Sequence, residues 1–237
     1  MQGAYLVLAQ LQGADLRRSD LDGAKLDNVK LSDGQYGSVC LAYVKWGEVD
    51  LAVVDWEQVT RLGDEQVARK PVDREGKRKE RWMRVEEYKE AVRANRRLAV
   101  ISREQGLNAE ADRFAYRAQL LQRKVFWREQ EFGRWLFSML LELLSGYGYR
   151  IWRILAAYLL TVSVFALAYF VLGMYYPPHL PLHQAFLESI TALHGRVFFE
   201  QFSLNSPQIW LTALEAIAGL IIEGVFIAML IQRFFGK

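Results

Sequence analysis

Two acidic residues, Glu215 and Glu223, interrupt an otherwise apolar run of 23 residues, 209–231. An ionised carboxylate in hydrocarbon costs roughly 3 kcal/mol or more, so such a group faces water, a partner or another subunit, or holds a proton. Eight residues on a helix at 100° per residue leave the pair about 80° apart, so both fit one quadrant of a water-filled path. Glu223 lies deeper and is the better placed for an ion. Glu215 suits either the path or the bracing of a neighbouring helix, and an intersubunit hydrogen bond without ionic role is open to both. Upstream, Thr191-Ala192-Leu193-His194-Gly195-Arg196 brings a cation and an imidazole into the same region, with Glu188 and Glu200 within pairing range of Arg196. His179, His183 and His194 are all the histidines of the chain. They read first as surface residues, then as sensors of external pH, since imidazole titrates near ~6.5, and only third as metal ligands. Pro181 spoils helical i,i+4 ligation by His179 and His183, so no metal site is expected. Without a phosphate loop, a metal-ligand cluster or a nucleophile–base pair, the chain is not expected to be an enzyme and needs no cofactor.

The elements that hold these residues divide sharply by composition. Residues 61–153 carry 22 Lys/Arg, whereas 154–237 carry three: Arg196, Arg233 and Lys237. Apolar runs at 154–172 and 209–231 span roughly 28 and 34 Å as helices, against a hydrocarbon core of about 30 Å. Arg150 and Arg153 before the first, and Arg233 and Lys237 after the second, place both flanks on the cytoplasmic side. Between the runs, Pro177, Pro178 and Pro181 end one helix. Residues 183–193 then allow about three helical turns, too few to cross. Non-helical backbone at that depth is tolerated only where protein buries it or it lines water, so a re-entrant segment implies a vestibule and several subunits. No signal peptide precedes the basic region, and the lone Cys40 suits a reducing compartment.

The first 56 residues repeat every five. Leu6, Leu11, Leu16, Leu21, Leu26, Leu31, Tyr36, Leu41, Trp46, Leu51 and Trp56 share one register, each preceded two residues earlier by a small one, from Ala4 to Val54. Neither the helical nor the strand period divides into five, whereas stacked coils with inward large and small residues explain it. Ala14-Asp15-Leu16 and Ala24-Lys25-Leu26 resemble the pentapeptide-repeat family pattern A-[D/N]-L-x-x. That resemblance implies a short right-handed quadrilateral β-helix of just under three coils. Seven Asp and one Glu against five Lys/Arg over residues 1–56 are too balanced for DNA mimicry, and no nucleic-acid partner is expected.

Residues 59–81 read as a charge-rich linker broken by Gly63, Pro71 and Gly76. Helical spacing over 88–102 and 109–130, with a turn at Gly106-Leu107-Asn108, predicts either an antiparallel hairpin between subunits or a solvated spacer. Residues 126–144 mix Phe126, Trp127, Phe132, Trp135 and Phe137 with charges at helical intervals, as in a helix at the lipid headgroups. Such a helix serves either coupling to the membrane part or passive anchoring. The chain thus reads as multidomain: repeats at 1–58, linker at 59–81, α-helical connector at 82–150 and an α-helical two-transmembrane pore-loop domain at 151–237.

That last assignment rests on residues 185–191, Leu211-Thr-Ala-Leu-Glu-Ala-Ile-Ala-Gly219 and residues 228–233, which resemble the two-transmembrane potassium-channel superfamily. The resemblance implies that Thr191 is the pore-helix threonine before the filter, that Gly219 is the small residue where the inner helix bends, and that Glu215 is the acidic residue near that helix's outer end. It further implies a homotetramer in a bacterial inner (plasma) membrane, both termini cytoplasmic, conducting an inorganic ion. The family filter T-x-G-[Y/F]-G-D is not kept: His194 and Arg196 stand at its glycine positions, so potassium selectivity is not expected. A non-conducting membrane-tethered scaffold and a trigger-opened permeabilising effector are the alternatives.

Overall fold

The computed structural model describes residues 1–73, 75–145, 151–177, 179–196 and 206–235. They divide into two compact units, Met1–Met139 and Leu140–Lys237.

The first unit begins with stacked turns. The carbonyl of each large inward residue accepts the N–H three residues on: Ala9 to Leu6 (3.0 Å), Ser19 to Leu16 (3.0 Å), Ala24 to Leu21 (2.8 Å). The third turn position adopts φ between 53° and 67° at Gly3, Leu8, Gly13, Arg18, Gly23 and Asn28, as a type II turn demands. Leu8 and Arg18 do so at a cost of about 1 kcal/mol each, which stacking must offset. The fifth residue bridges to a later coil: Tyr5 to Lys25, Gln10 to Lys30, Asp15 to Cys40 and Asp20 to Lys45. Leu21, Leu26, Leu31, Leu41, Trp46, Leu51 and Trp56 are buried along this stack.

The fold class expected from the repeat is corrected here. The described chain is predominantly α-helical, its single sheet is a two-stranded hairpin, and no long quadrilateral β-helix forms. Each five-residue side spends two residues on its turn and leaves one for an isolated bridge, so strands cannot extend. The register is also broken once. Strands β1 (Ser32–Asp33) and β2 (Gly37–Ser38) pair antiparallel and extrude the repeat containing Tyr36. Tyr36, expected inward, is 68 % exposed. Asp33 causes this: its Oδ1 accepts the backbone N–H groups of Gln35 (3.0 Å), Tyr36 (2.6 Å) and Gly37 (3.2 Å).

Within the expected linker, Gly63–Arg69 form helix α1. It docks because Gly63 lacks a side chain: a Cβ there would collide with the Ser38 carbonyl. Asp64 then accepts the N–H groups of Leu41 (2.6 Å) and Ala42 (3.2 Å). Burial pushes this carboxyl up to about 6, against those two donors, which favour its charged form. Fully buried Glu65 is held by Arg69 (2.7 Å) and Arg117 (2.7 Å). Helices α2 (Arg81–Glu104) and α3 (Asn108–Glu129) form a hairpin rather than a solvated spacer. Leu98, Ile101 and Phe114 of this hairpin share one core with the repeats. Trp56 meets Phe114 edge-to-face at 5.4 Å, worth about 1 kcal/mol beyond burial. Gln130 ends α3 in the left-handed conformation (φ 63°), and α4 (Phe132–Ser145) follows.

The second unit holds α5 (Ile151–Tyr175), α6 (Leu182–Leu193) and α7 (Pro207–Phe235). Segments Trp152–Tyr175 and Pro207–Ile231 are long and apolar enough to cross a membrane, with mean hydropathies of 2.3 and 2.2 and only 22 % of the most apolar stretch of each buried within the chain. Leu155, Leu159, Leu167, Leu214, Ile217 and Leu220 lie on their exposed faces. Ile154, Ile222 and Met229 form one buried cluster, and Tyr169, Leu180, Ala185 and Ala192 another.

Candidate intramembrane site

Helix α6 has 12 residues, about 18 Å, and lies against both long helices. Its packed face is made of small and polar residues: Ala185, Glu188, Ser189 and Ala192 are all fully buried. Glu215 is fully buried too, and its Oε1 stands 2.5 Å from the Ser189 hydroxyl, which also lies 3.0 Å from the Val162 carbonyl. One oxygen thus ties α5, α6 and α7 together. A hydroxyl has one proton, and two acceptors face it; a proton on Glu215, donated to Ser189, gives each of the two contacts its own hydrogen. Beside this tie, Tyr169 donates to Thr212 (3.1 Å), Thr212 to the Gln208 carbonyl (3.0 Å) and Gln208 Nε2 to the Tyr176 carbonyl (3.1 Å).

Glu215 is thus joined to α6 and buried within one chain. Glu188 shares its burial and lies in its electrostatic neighbourhood, whereas Arg196 is exposed. Glu200 lies outside the described residues. Tyr169, Ser189, Gln208 and Thr212 are not among the residues that the sequence analysis singles out as a site. Gln208, Thr212, Glu215 and Gly219 recur at i, i+4, i+7 and i+11, a helical stripe that marks one face.

Residues 191–196 fold as a helix cap. The N–H groups of His194 (3.1 Å) and Arg196 (2.9 Å) bond the Thr191 carbonyl, and that of Gly195 (2.9 Å) bonds the Ala192 carbonyl. Gly195 takes φ 71°, the left-handed residue that ends a helix in the Schellman manner. The Thr191 hydroxyl turns back onto the Leu187 and Glu188 carbonyls. Thr191 and Ala192 thus offer their carbonyls to backbone donors. Leu193 is buried, and a Cβ on Gly219 would collide with its carbonyl. Gly219 permits this close approach, and α7 continues through it as one helix.

His194 sits apart from His179 and His183. His183 is exposed at the start of α6, and His179 Nδ1 lies 2.6 Å from the Gly173 carbonyl. His194 instead stands beside Tyr158 of α5, ring centroids 6.0 Å apart, with Nε2 at 3.5 Å from Glu223 Oε1. Among the described residues no three His, Cys, Asp or Glu side chains gather as a metal-holding group.

Comparison with known proteins adds one finding. Residues 1–33 match the family model described as pentapeptide repeats, eight copies. No curated protein and no solved structure matches the chain.

Proposed function

We propose that this chain is the subunit of a homo-oligomeric membrane channel of the two-transmembrane, pore-loop kind, with α6 as its re-entrant helix and a filter unlike that of potassium channels. The observation that carries this reading is α6 itself. A 12-residue helix, too short to cross, is bonded and packed between two helices that are long enough. Buried carboxyls at Glu188 and Glu215 and the part-exposed Glu223 would be costly in lipid, and a tetramer around a vestibule gives the last of them water. The repeat unit, α1–α3 and the basic flank of α5 belong on the cytoplasmic face of a bacterial inner membrane by the distribution of Lys and Arg. There they assemble the subunits. α4, with Phe132, Leu136, Phe137 and Leu143 exposed, lies at the headgroups.

Planar-bilayer recording of the purified protein in asymmetric KCl tests this. Unitary currents are expected, and the sign of the reversal potential separates cation from anion preference. A folded oligomer silent across voltage and pH refutes conduction by the resting protein. The capped carbonyls of Thr191 and Ala192 would then favour the tethered scaffold, and currents appearing only after a trigger would favour the permeabilising effector.

A further inference from the structure

We propose that His194 and Glu223 form a binding site for a divalent transition-metal ion. His194 Nδ1 lies 2.8 Å from the Ile190 carbonyl oxygen. A carbonyl only accepts, so Nδ1 carries the ring proton and donates it. In the neutral ring the other nitrogen, Nε2, then carries the lone pair, and it stands 3.5 Å from Glu223 Oε1. A lone pair facing a carboxylate at that distance is repulsive unless a cation lies between them.

The spacing suits a metal. Zinc binds imidazole nitrogen at about 2.0–2.1 Å and carboxylate oxygen at about 2.0–2.2 Å, so two such ligands at a tetrahedral angle stand roughly 3.3–3.5 Å apart. The orientation suits it as well. A metal-bound imidazole nearly always gives its second N–H to a carbonyl or carboxylate, as His194 does to Ile190. One imidazole with one carboxylate selects Zn²⁺, Co²⁺ or Ni²⁺ over the oxygen-loving Mg²⁺ and Ca²⁺. Both side chains are part-exposed, 45 % and 43 %, which leaves an entry path and room for the missing ligands. Water, or the same pair from a second copy, completes the coordination.

The place gives the metal a consequence. Glu223 lies one turn beyond Gly219, where α7 touches the Leu193 carbonyl, and His194 is the residue after Leu193. A bound ion therefore clamps the end of α6 to α7 beside the contact of Gly219 with Leu193. Only the access of water to the site rests on the proposed pore; the two ligands belong to one chain, and binding is read without any current.

Titration of the purified full-length chain in detergent with Co²⁺ tests the site through the visible ligand-field absorption of the metal. A saturable band is expected at about one Co²⁺ per chain or fewer if copies share it, displaced by Zn²⁺. The band is expected to persist when His179 and His183 are both replaced by Gln, and to vanish in His194→Ala and in Glu223→Gln. Glu223→Asp, which keeps the charge and shortens the arm, is expected to bind more weakly than the parent while unfolding at the parent's temperature. No band from the parent overturns the proposal and leaves a proton as the cation between the two groups. A band of equal strength in Glu223→Gln overturns it too. Silent bilayers with intact Co²⁺ binding would refute conduction by the resting protein and keep the site.

Discussion

Replacing Ser189 with Ala removes a hydroxyl that joins α5, α6 and α7. The Val162 carbonyl keeps its place in α5, so the loss falls on Glu215, buried in a site closed to water. A buried polar group left short of a partner costs about 1–3 kcal/mol. Interhelical hydrogen bonds measured within membranes average about 0.6 and reach about 1.7 kcal/mol, because unfolded helices find other partners. About 1–1.5 kcal/mol is therefore expected for Ser189→Ala. The assay is unfolding of the detergent-solubilised chain by increasing SDS, run as a double-mutant cycle with Glu215→Leu. Once the carboxyl is gone, Ala at 189 leaves nothing unsatisfied, and the second substitution is expected to cost under about 0.5 kcal/mol. Glu215→Gln is expected to be milder than Glu215→Leu, since an amide can still donate to Ser189 as a protonated carboxyl does. Additivity of Ser189→Ala and Glu215→Leu would refute the tie, and so would a Glu215→Gln more damaging than Glu215→Leu.

Gly219 and Gly224 share α7 and make a matched pair. A Cβ at 219 meets the Leu193 carbonyl, whereas nothing lies within 4 Å of one at 224. Gly219→Ala is expected to cost about 1–3 kcal/mol in the same SDS assay, while Gly224→Ala is neutral or gains about 0.5–1 kcal/mol; equal effects would refute the close approach. In the first unit, Asp64 gives a pH dependence. Its carboxyl titrates at about 6 when folded and near 3.8 when unfolded, so between these values the folded chain keeps a proton that the unfolded one has lost. Its contribution is full below pH ~4 and declines, by about 3 kcal/mol at most, as pH rises to ~6. Thermal unfolding followed at pH 4 and pH 7 is expected to show this decline in the parent and not in Asp64→Asn. An unchanged slope in the variant would sink the assignment.

The sequence alone carried whatever depends on neighbours along the chain. A five-residue period predicts stacked turns, because one inward residue in five can be satisfied only by coils. The left-handed positions, which the structure adds, keep the same period: Gly3, Gly13 and Gly23 recur in phase with Leu8, Arg18 and Asn28. Two apolar runs flanked by arginine, with a proline-bounded half-length helix between them, were legible for the same reason: span length and helix stops are local properties. The α2–α3 hairpin was within reach, announced by the Gly106 turn.

Tertiary structure decided what depends on which faces meet. The single-register reading of the repeat failed at Tyr36, because the Asp33 side chain gathers three backbone donors and closes a hairpin that periodicity cannot distinguish from another coil. The repeat also overstated the β character of the fold: the period counts residues per side, while strand length depends on how many of them the turn consumes. Residues 63–69 looked like linker until Asp64 and Gly63 met the backbone of residues 38–42. Helical spacing put Glu215 and Glu223 within one quadrant, yet only the approach of α6 separates them, burying Glu215 on Ser189 and leaving Glu223 open beside His194. A period fixes the direction in which a side chain points from its own helix. What it points at is set by packing between helices far apart in sequence, and in this unit that packing turns on one glycine and one serine hydroxyl.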